Sequence, residues 1–234
     1  MSYEGTTQGD PLAMAMYGLA LVPLILQLTC EAKLIWFADD ATGGGKLRQL
    51  KGWWDKLNEI GPACGYFPNA CKTWLLVKEN QLEFAQDLFS KTGVQITADG
   101  RRLLGAPFGT ANFCSNFVEK AVSTWKNQLE LLSSVAGVQH HAAFSAFSLG
   151  LIGKWTFSAR TAENTISHFQ RLEDIIRGMF IPQLTGRSPP GDDVRDLLAL
   201  PPLQGGLGLI NLSTALAQVF KHSQKNLLAS DKPH

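Results

Sequence analysis

The sequence carries almost no surplus of charge. Lys and Arg number 21 against 20 Asp and Glu in 234 residues, for a formal net charge of +1. That excludes a general polyanion-coating protein and leaves room only for a local basic groove. Cysteine is scarce as well. Cys30, Cys64, Cys71 and Cys114 form no C-x-x-C pair and no zinc spacing, which excludes a disulfide scaffold and a zinc module. They read as reduced thiols of an intracellular protein, in nucleus or cytoplasm. Residues 1–5 offer neither the positive segment nor the apolar core of a secretion signal. Pro11 to Leu26 is uncharged. It falls short of the roughly 20 apolar residues a membrane span needs, is interrupted by Pro23 and lacks a flanking Lys/Arg cluster. A helix buried on most sides is the better expectation, and a single-span membrane protein using residues 11–28 the weaker one. There is no internal repeat and no low-complexity tract. What is present, 45% hydrophobic and 18% charged residues, is a globular composition with enough chain for a core.

The pattern along the chain alternates helix and strand before it turns helical. Asp10-Pro11 is a helix start, with Asp as cap and Pro suited to the first turn. Lys33 to Phe37 and Ala41-Thr42 read as the arms of a hairpin with Asp39-Asp40 at its turn. From Lys46 to Ile60, Leu47, Leu50, Trp54, Leu57 and Ile60 share one helical face, and Gly61-Pro62 ends that helix. Trp74 to Val77 predicts a strand and Leu82 to Phe89 a short helix. Val94 to Thr97 and Arg101 to Phe108 predict two more strands, reversed at residues 98–100. Beyond 110, Phe113, Phe117, Ala121, Trp125, Leu129 and Leu132 recur at helical spacing. Residues 139–155 and 162–180 predict further helices. Residues 185–208 are rich in Pro and Gly with a short helical piece at 194–198, and a closing helix is expected over 211–229. The fold class expected is α+β followed by an all-α region, with a boundary near 109–113.

Several motifs carry nothing. "GGGK" at Gly43–Lys46 fails the P-loop spacing and has Leu47 where Ser or Thr is required. His140-His141 has no Cys or His partner at ligand spacing. Gly205, Gly206 and Gly208 lack the preceding strand and following acid of a dinucleotide site. Asp192-Asp193 and Glu173-Asp174 read as solvated charge. Lys120, Lys126, Lys154, Arg160, Arg171 and Arg177 read as a solvated helical face, or as a phosphate-binding groove if several align.

Two stretches remain. Asp39-Asp40 is an ordinary turn pair on one reading. On the other, carboxylates lifted out of the core on a hairpin hold Mg²⁺, which wants oxygen ligands. A two-metal clamp needs ions about 3.5–4 Å apart, and a third carboxylate normally completes it. The opening, Ser2, Gly5, Gln8, Gly9 and Pro11, is a polar, glycine-broken lead into a helix. Free N–H groups at such a start favour phosphate.

Together these stretches resemble adjacent motifs of retrotransposon reverse transcriptases, most like those of elements without long terminal repeats. The glutamine-glycine segment is similar to Ser2, Gly5, Gln8 and Gly9, with Pro11 earlier than in the family's spacing. The F/Y-A-D-D hairpin is similar to Phe37-Ala38-Asp39-Asp40. "GYFPNACKTWLLVK" resembles the palm segment that supplies a lysine, here Lys72. "RRLLGAPFG" resembles the primer grip, with Leu104-Gly105 at its hairpin. The resemblance covers roughly residues 1–180 in the correct order, and "LLALPPLQGGLGLIN" looks like sequence that follows this domain in such elements.

It implies a partial palm with primer grip over 1–110, a helical thumb over 111–184, and a Pro/Gly-rich linker with a C-terminal helix over 185–234. It implies RNA template, DNA primer and deoxynucleotides as partners, no membrane, and Mg²⁺ or Mn²⁺ as cofactor in the intact enzyme. Asp39 binds metal with Asp40 in support, Lys72 is catalytic, and Gln8, Gly9 and Phe37 contact nucleotide or template. The fingers and the palm strand bearing the family's first catalytic aspartate precede the glutamine-glycine motif, so this chain is expected to be a fragment, inactive alone. The alternative is a nucleic-acid-binding remnant without catalysis.

Overall fold

The computed structural model describes residues 9–162 and 166–215, together with Val219 and Ser223, as an α+β protein of helices and three short two-stranded sheets. Two compact units divide at Met1–Ala98 and Asp99–His234.

In the first unit, α1 (Ala13–Gln27) begins two residues past Pro11, and Leu12 rather than Asp10 stands at its cap position, without a side-chain cap bond. The Asp10 carboxylate accepts from the Leu12 N–H at 2.8 Å in the turn that leads into the helix. Pro23 lies inside the helix without ending it. The expected burial on most sides does not occur. Only Leu21 and Leu24 of α1 are buried, while Leu19 is 72% and Leu26 70% exposed, with Met14, Met16 and Val22 also open. The physical reason is the size of the layer beneath. Leu21, Leu24, Leu28 and Leu57 make one small cluster, with Trp36, Trp53, Ile60 and Tyr66 packed against it. A single helix face is all that it can cover.

The hairpin β1 (Lys33–Phe37) and β2 (Asp40–Gly44) is antiparallel, with Trp36 opposite Ala41 and Phe37 opposite Asp40. Its turn is therefore Ala38-Asp39, and Asp40 belongs to the strand, one residue off the expected turn. Then α2 (Leu47–Ile60) buries Trp54 and Leu57. Strand β3 (Trp74–Leu76) and, after α3 (Leu82–Phe89), strand β4 (Gln95–Thr97) pair in parallel. Parallel pairing needs a crossover, and α3 supplies it. So β4 does not reverse into the next strand at 98–100, as the local sequence suggested.

In the second unit, residues 101–108 form a hairpin of their own: β5 (Gly100–Leu103) and β6 (Ala106–Gly109), with Leu104-Gly105 as the turn. It packs with the helix that follows, which is why the unit boundary precedes it. That helix, α4 (Ala111–Ala136), is capped by Thr110. The Thr110 hydroxyl accepts from the Phe113 N–H at 3.2 Å and donates to Asp99 at 2.9 Å.

Two longer helical stretches pack on α4. In the first, α5 (His140–Ser145) and α6 (Ile152–Thr161) are joined by a π turn at 146–151. In the second, α7 (Ile166–Ile175) and α8 (Ile181–Thr185) are joined by a π turn at 176–180. Each π turn adds a residue to the helical ladder, and each carries a core phenylalanine. Phe147 and Phe180 stack at 4.7 Å, and Trp155 meets Phe147 edge-on at 5.5 Å.

Helix α9 (Asp192–Ala199) brings Arg195 into the core, 1% exposed. Its guanidinium grips Glu173 of α7 bidentately, at 2.6 and 2.9 Å, and donates to the Leu209 and Ile210 carbonyls. Glu173 also accepts from the Leu212 N–H at 3.0 Å. The expectation of solvated charge at Glu173 is thus overturned, because an arginine 22 residues later in sequence neutralises it. The glycines at 205–208 let the chain fold back on α9. A Cβ at Gly206 would run into the Leu197 and Leu200 carbonyls. Of the expected closing helix, residues 212–215 are helical, and most of the remainder lies outside the described residues.

Candidate functional site

Each sequence-predicted residue has a definite place. Gln8 lies outside the described residues. Gly9 is exposed, with φ +95°. Phe37 closes β1 and is 61% exposed. Asp39 and Asp40 are both exposed. Because Asp40 is directly opposite Phe37, the two share the outward face of the hairpin with Ile35. Lys72 is exposed at the end of a 3₁₀ turn, where its backbone N–H is held by the Asn69 side chain at 3.2 Å. These residues belong to the first unit. Leu104 and Gly105 belong to the second, with φ +47° and +91°. Both central residues are left-handed, which suits the twist of a hairpin but strains the leucine.

The turn at Ala38-Asp39 is strained in the same way. Ala38 has φ +53°, a conformation that glycine usually supplies at the first position of a two-residue hairpin. A left-handed alanine costs about 1–2 kcal/mol, so something must hold it. The Tyr66 hydroxyl donates to the Asp39 carbonyl at 3.0 Å. The Tyr66 ring stands edge-on to Trp36 at 5.4 Å. Tyr66 itself is placed by the loop after α2, where its N–H donates to the Gly61 carbonyl at 2.9 Å. Gly61 has to be glycine, since a Cβ there would meet the Leu57 and Tyr66 carbonyl oxygens at 2.5 and 2.7 Å.

Tyr17 of α1 completes the surroundings. Burial raises its hydroxyl above the ordinary tyrosine value, and the charge of Asp39 adds to this. Tyr66 is raised too, first by burial, then by Tyr17, Asp39 and Asp40. Two tyrosines and two aspartates therefore share one electrostatic neighbourhood, although the sequence motif contained only the aspartates. The missed signal was the Tyr66 of "GYFPNACK", whose neighbour Lys72 drew attention instead. No hydrogen bond or ion pair ties Gly9 or the Lys72 side chain to the two carboxylates among the described residues.

The donor chemistry of the turn suits one hard cation. Mg²⁺ is commonly bound by one or two carboxylates and keeps several waters, and both carboxylates here are open to solvent. Among the described residues no group of three or more His, Cys, Asp and Glu side chains converges. Cys30, Cys64 and Cys71 are free thiols. Of the basic residues of the helical region, Lys126 pairs with Glu130, Arg171 with Glu119 and Arg177 with Asp192. A shallow cleft of about 240 Å³ between Leu28, Cys30, Gln49 and Trp53 lies on the same unit.

No protein-family model, no curated protein and no solved structure matches this chain.

Proposed function

We propose that the chain is the C-terminal part of a reverse transcriptase of a retrotransposon: half a palm, a primer-grip hairpin and a thumb-like helical unit. In the intact enzyme the reaction is template-directed addition of deoxynucleotides to a primer 3′-hydroxyl. The observation that carries the reading is the Asp39-Asp40 pair, exposed at a strained two-residue turn beside bare apolar faces. Ile35 and Phe37 on the hairpin and most of α1 lack cover, as palm elements without their neighbouring strands would. Divalent metal, when bound, supplies charge neutralisation at the reacting phosphate. Asp39 offers the main oxygen ligand and Asp40 supports it. Phe37, on the same face as Asp40, contacts nucleotide or template, as Gln8 and Gly9 do. Lys72 donates a proton to the departing pyrophosphate. Leu104-Gly105 offers a raised tip to the primer backbone.

A second reading, a nucleic-acid-binding chain without catalysis, is favoured by the lack of a third convergent carboxylate among the described residues. Exposed Arg101 and Arg102 on the β5–β6 hairpin suit phosphate contacts in either case. Among the described residues no helix is long and apolar enough to cross a membrane.

Primer extension separates the readings. The chain by itself is expected not to extend a primer on RNA with Mg²⁺ or Mn²⁺, because losing roughly 5 kcal/mol of transition-state stabilisation slows a reaction by about 10³–10⁴. A longer chain that also carries a palm strand with a further carboxylate is expected to extend it, and Asp39→Asn in that longer chain to abolish extension. Retained extension in the Asp39→Asn form would sink the polymerase reading. Binding of primer–template duplex, independent of sequence and falling steeply with salt, is expected on both.

A further inference from the structure

We propose that Tyr66 is a positioning residue for the Asp39-Asp40 carboxylates. This rests on the reading of that pair as a metal centre and adds to it a residue outside the motif. The hairpin alone does not account for the geometry of its own turn. Ala38 sits at φ +53°, where glycine would be at ease and alanine is not. The two strands end there, with Phe37 and Asp40 as the last pair, so no ladder bond lies beyond the turn to restrain it. Exposed turns of this kind ordinarily relax or fray.

The restraint comes from elsewhere in the chain. The Tyr66 hydroxyl takes the Asp39 carbonyl at 3.0 Å, across 27 residues of sequence. Its ring is locked on Trp36, the residue just inside the turn. Its backbone is pinned to Gly61, at a spot where only glycine fits. The tyrosine thus grips the hairpin at two points, the side chain of Trp36 and the carbonyl of Asp39. Rotation of the Asp39-Asp40 peptide, whose carbonyl Tyr66 holds, would swing the two carboxylates relative to each other, and the Tyr66 bond opposes that rotation. Metal ligands held through a hydrogen bond from outside the first layer of contacts typically lose about 10- to 100-fold in affinity when that bond is removed.

The test uses the chain as it stands, with Mn²⁺ alone as probe. Binding is read from paramagnetic broadening of the amide resonances of residues 38–40, and turn order from backbone relaxation. Four forms are compared: native, Tyr66→Phe, Asp39→Asn and Leu57→Ala. Leu57 is a buried residue of the cluster on which Trp36 and Tyr66 pack, so its truncation lowers stability without removing the Tyr66 hydroxyl.

In the expected result, Tyr66→Phe weakens Mn²⁺ binding about tenfold and loosens the 38–40 amides. Asp39→Asn removes binding at the turn. Leu57→Ala, measured below its melting transition, binds as the native chain does. If Tyr66→Phe binds Mn²⁺ as well as the native chain while Asp39→Asn does not, the positioning role is wrong and the metal centre stands. If Leu57→Ala weakens binding as much as Tyr66→Phe, the tyrosine acts only through stability and the role is wrong. If the native chain shows no broadening at the turn, or Asp39→Asn broadens equally, the pair is no metal centre and both readings fall.

Discussion

The two units solve the burial problem differently. In the first, the connected core has four buried residues, while in the second it has eighteen among the described residues. The second unit closes on itself. Its helices share one apolar interior, and the buried Arg195–Glu173 pair is also hydrogen-bonded by backbone groups of Leu209, Ile210 and Leu212. The first unit leaves an apolar helix and one hairpin face bare, yet it holds the strained turn and both candidate carboxylates. On the proposed reading, a site that admits metal and nucleotide cannot be sealed, and strain there has to be restrained by neighbours rather than removed. The second unit buries its apolar surface, while the first leaves both carboxylates exposed.

The largest test of this contrast is the clasp. Removing one partner of a buried pair strands the other charge, at about 3–5 kcal/mol. Glu173→Ala is therefore expected to lower the urea midpoint of the second unit severely. A loss under about 1 kcal/mol would mean that the clasp is wetter than its burial suggests, and the contrast between the units would weaken. Next come matched core truncations. Leu129→Ala, in the middle of α4, should cost about 4 kcal/mol. Leu24→Ala, in the four-residue cluster, should cost about 2 kcal/mol, because a thin layer can collapse around the gap. Equal losses in denaturant titrations would break the comparison.

Alkaline pH should strike one unit selectively. All three tyrosines, Tyr3, Tyr17 and Tyr66, precede residue 99. Tyr17 and Tyr66 are held protonated above the ordinary value of 10.0. A hydroxyl raised in the folded state contributes stability that is fully present below that value and is lost as pH climbs through the raised one. Resonances of the first unit should thus hold steady up to about pH 10 and then lose structure before those of the second. Tyr66→Phe should remove part of that alkaline loss, and simultaneous loss in both units would contradict it.

The smallest effect is expected at the turn. Asp39→Asn leaves the carbonyl that Tyr66 grips and removes one of two repelling charges. Stability should be unchanged, or higher by at most about 1 kcal/mol, since the turn is wet. A loss above about 1 kcal/mol in thermal melts would mark Asp39 as a turn-forming residue that bonds its own backbone.

Much of the secondary structure was legible because it is set by neighbours in sequence. The periodicity of Leu47 to Ile60 and of Phe113 to Leu132 predicts helices that form over 47–60 and 111–136. The arms before and after Ala38-Asp39 pair as a hairpin. The candidate carboxylates were legible for the same reason: a β-prone run followed by glycines can only lift an intervening Asp pair to the surface.

Whatever depends on a distant partner was decided by the tertiary structure alone. Residues 94–97 look locally like half of a hairpin, but they pair in parallel with 74–76 because α3 carries the chain back. Glu173 looks solvated until Arg195, on another helix, reaches it. The apolar α1 looks buried, since its composition says only that water is unfavourable and not whether anything lies close enough to exclude it. Tyr66 looks like one aromatic among several, and reaches the Asp39 carbonyl only when Gly61 turns the chain toward the hairpin. Sequence encodes what each residue prefers, and the contacts across 20 or 30 residues determine which of those preferences are met.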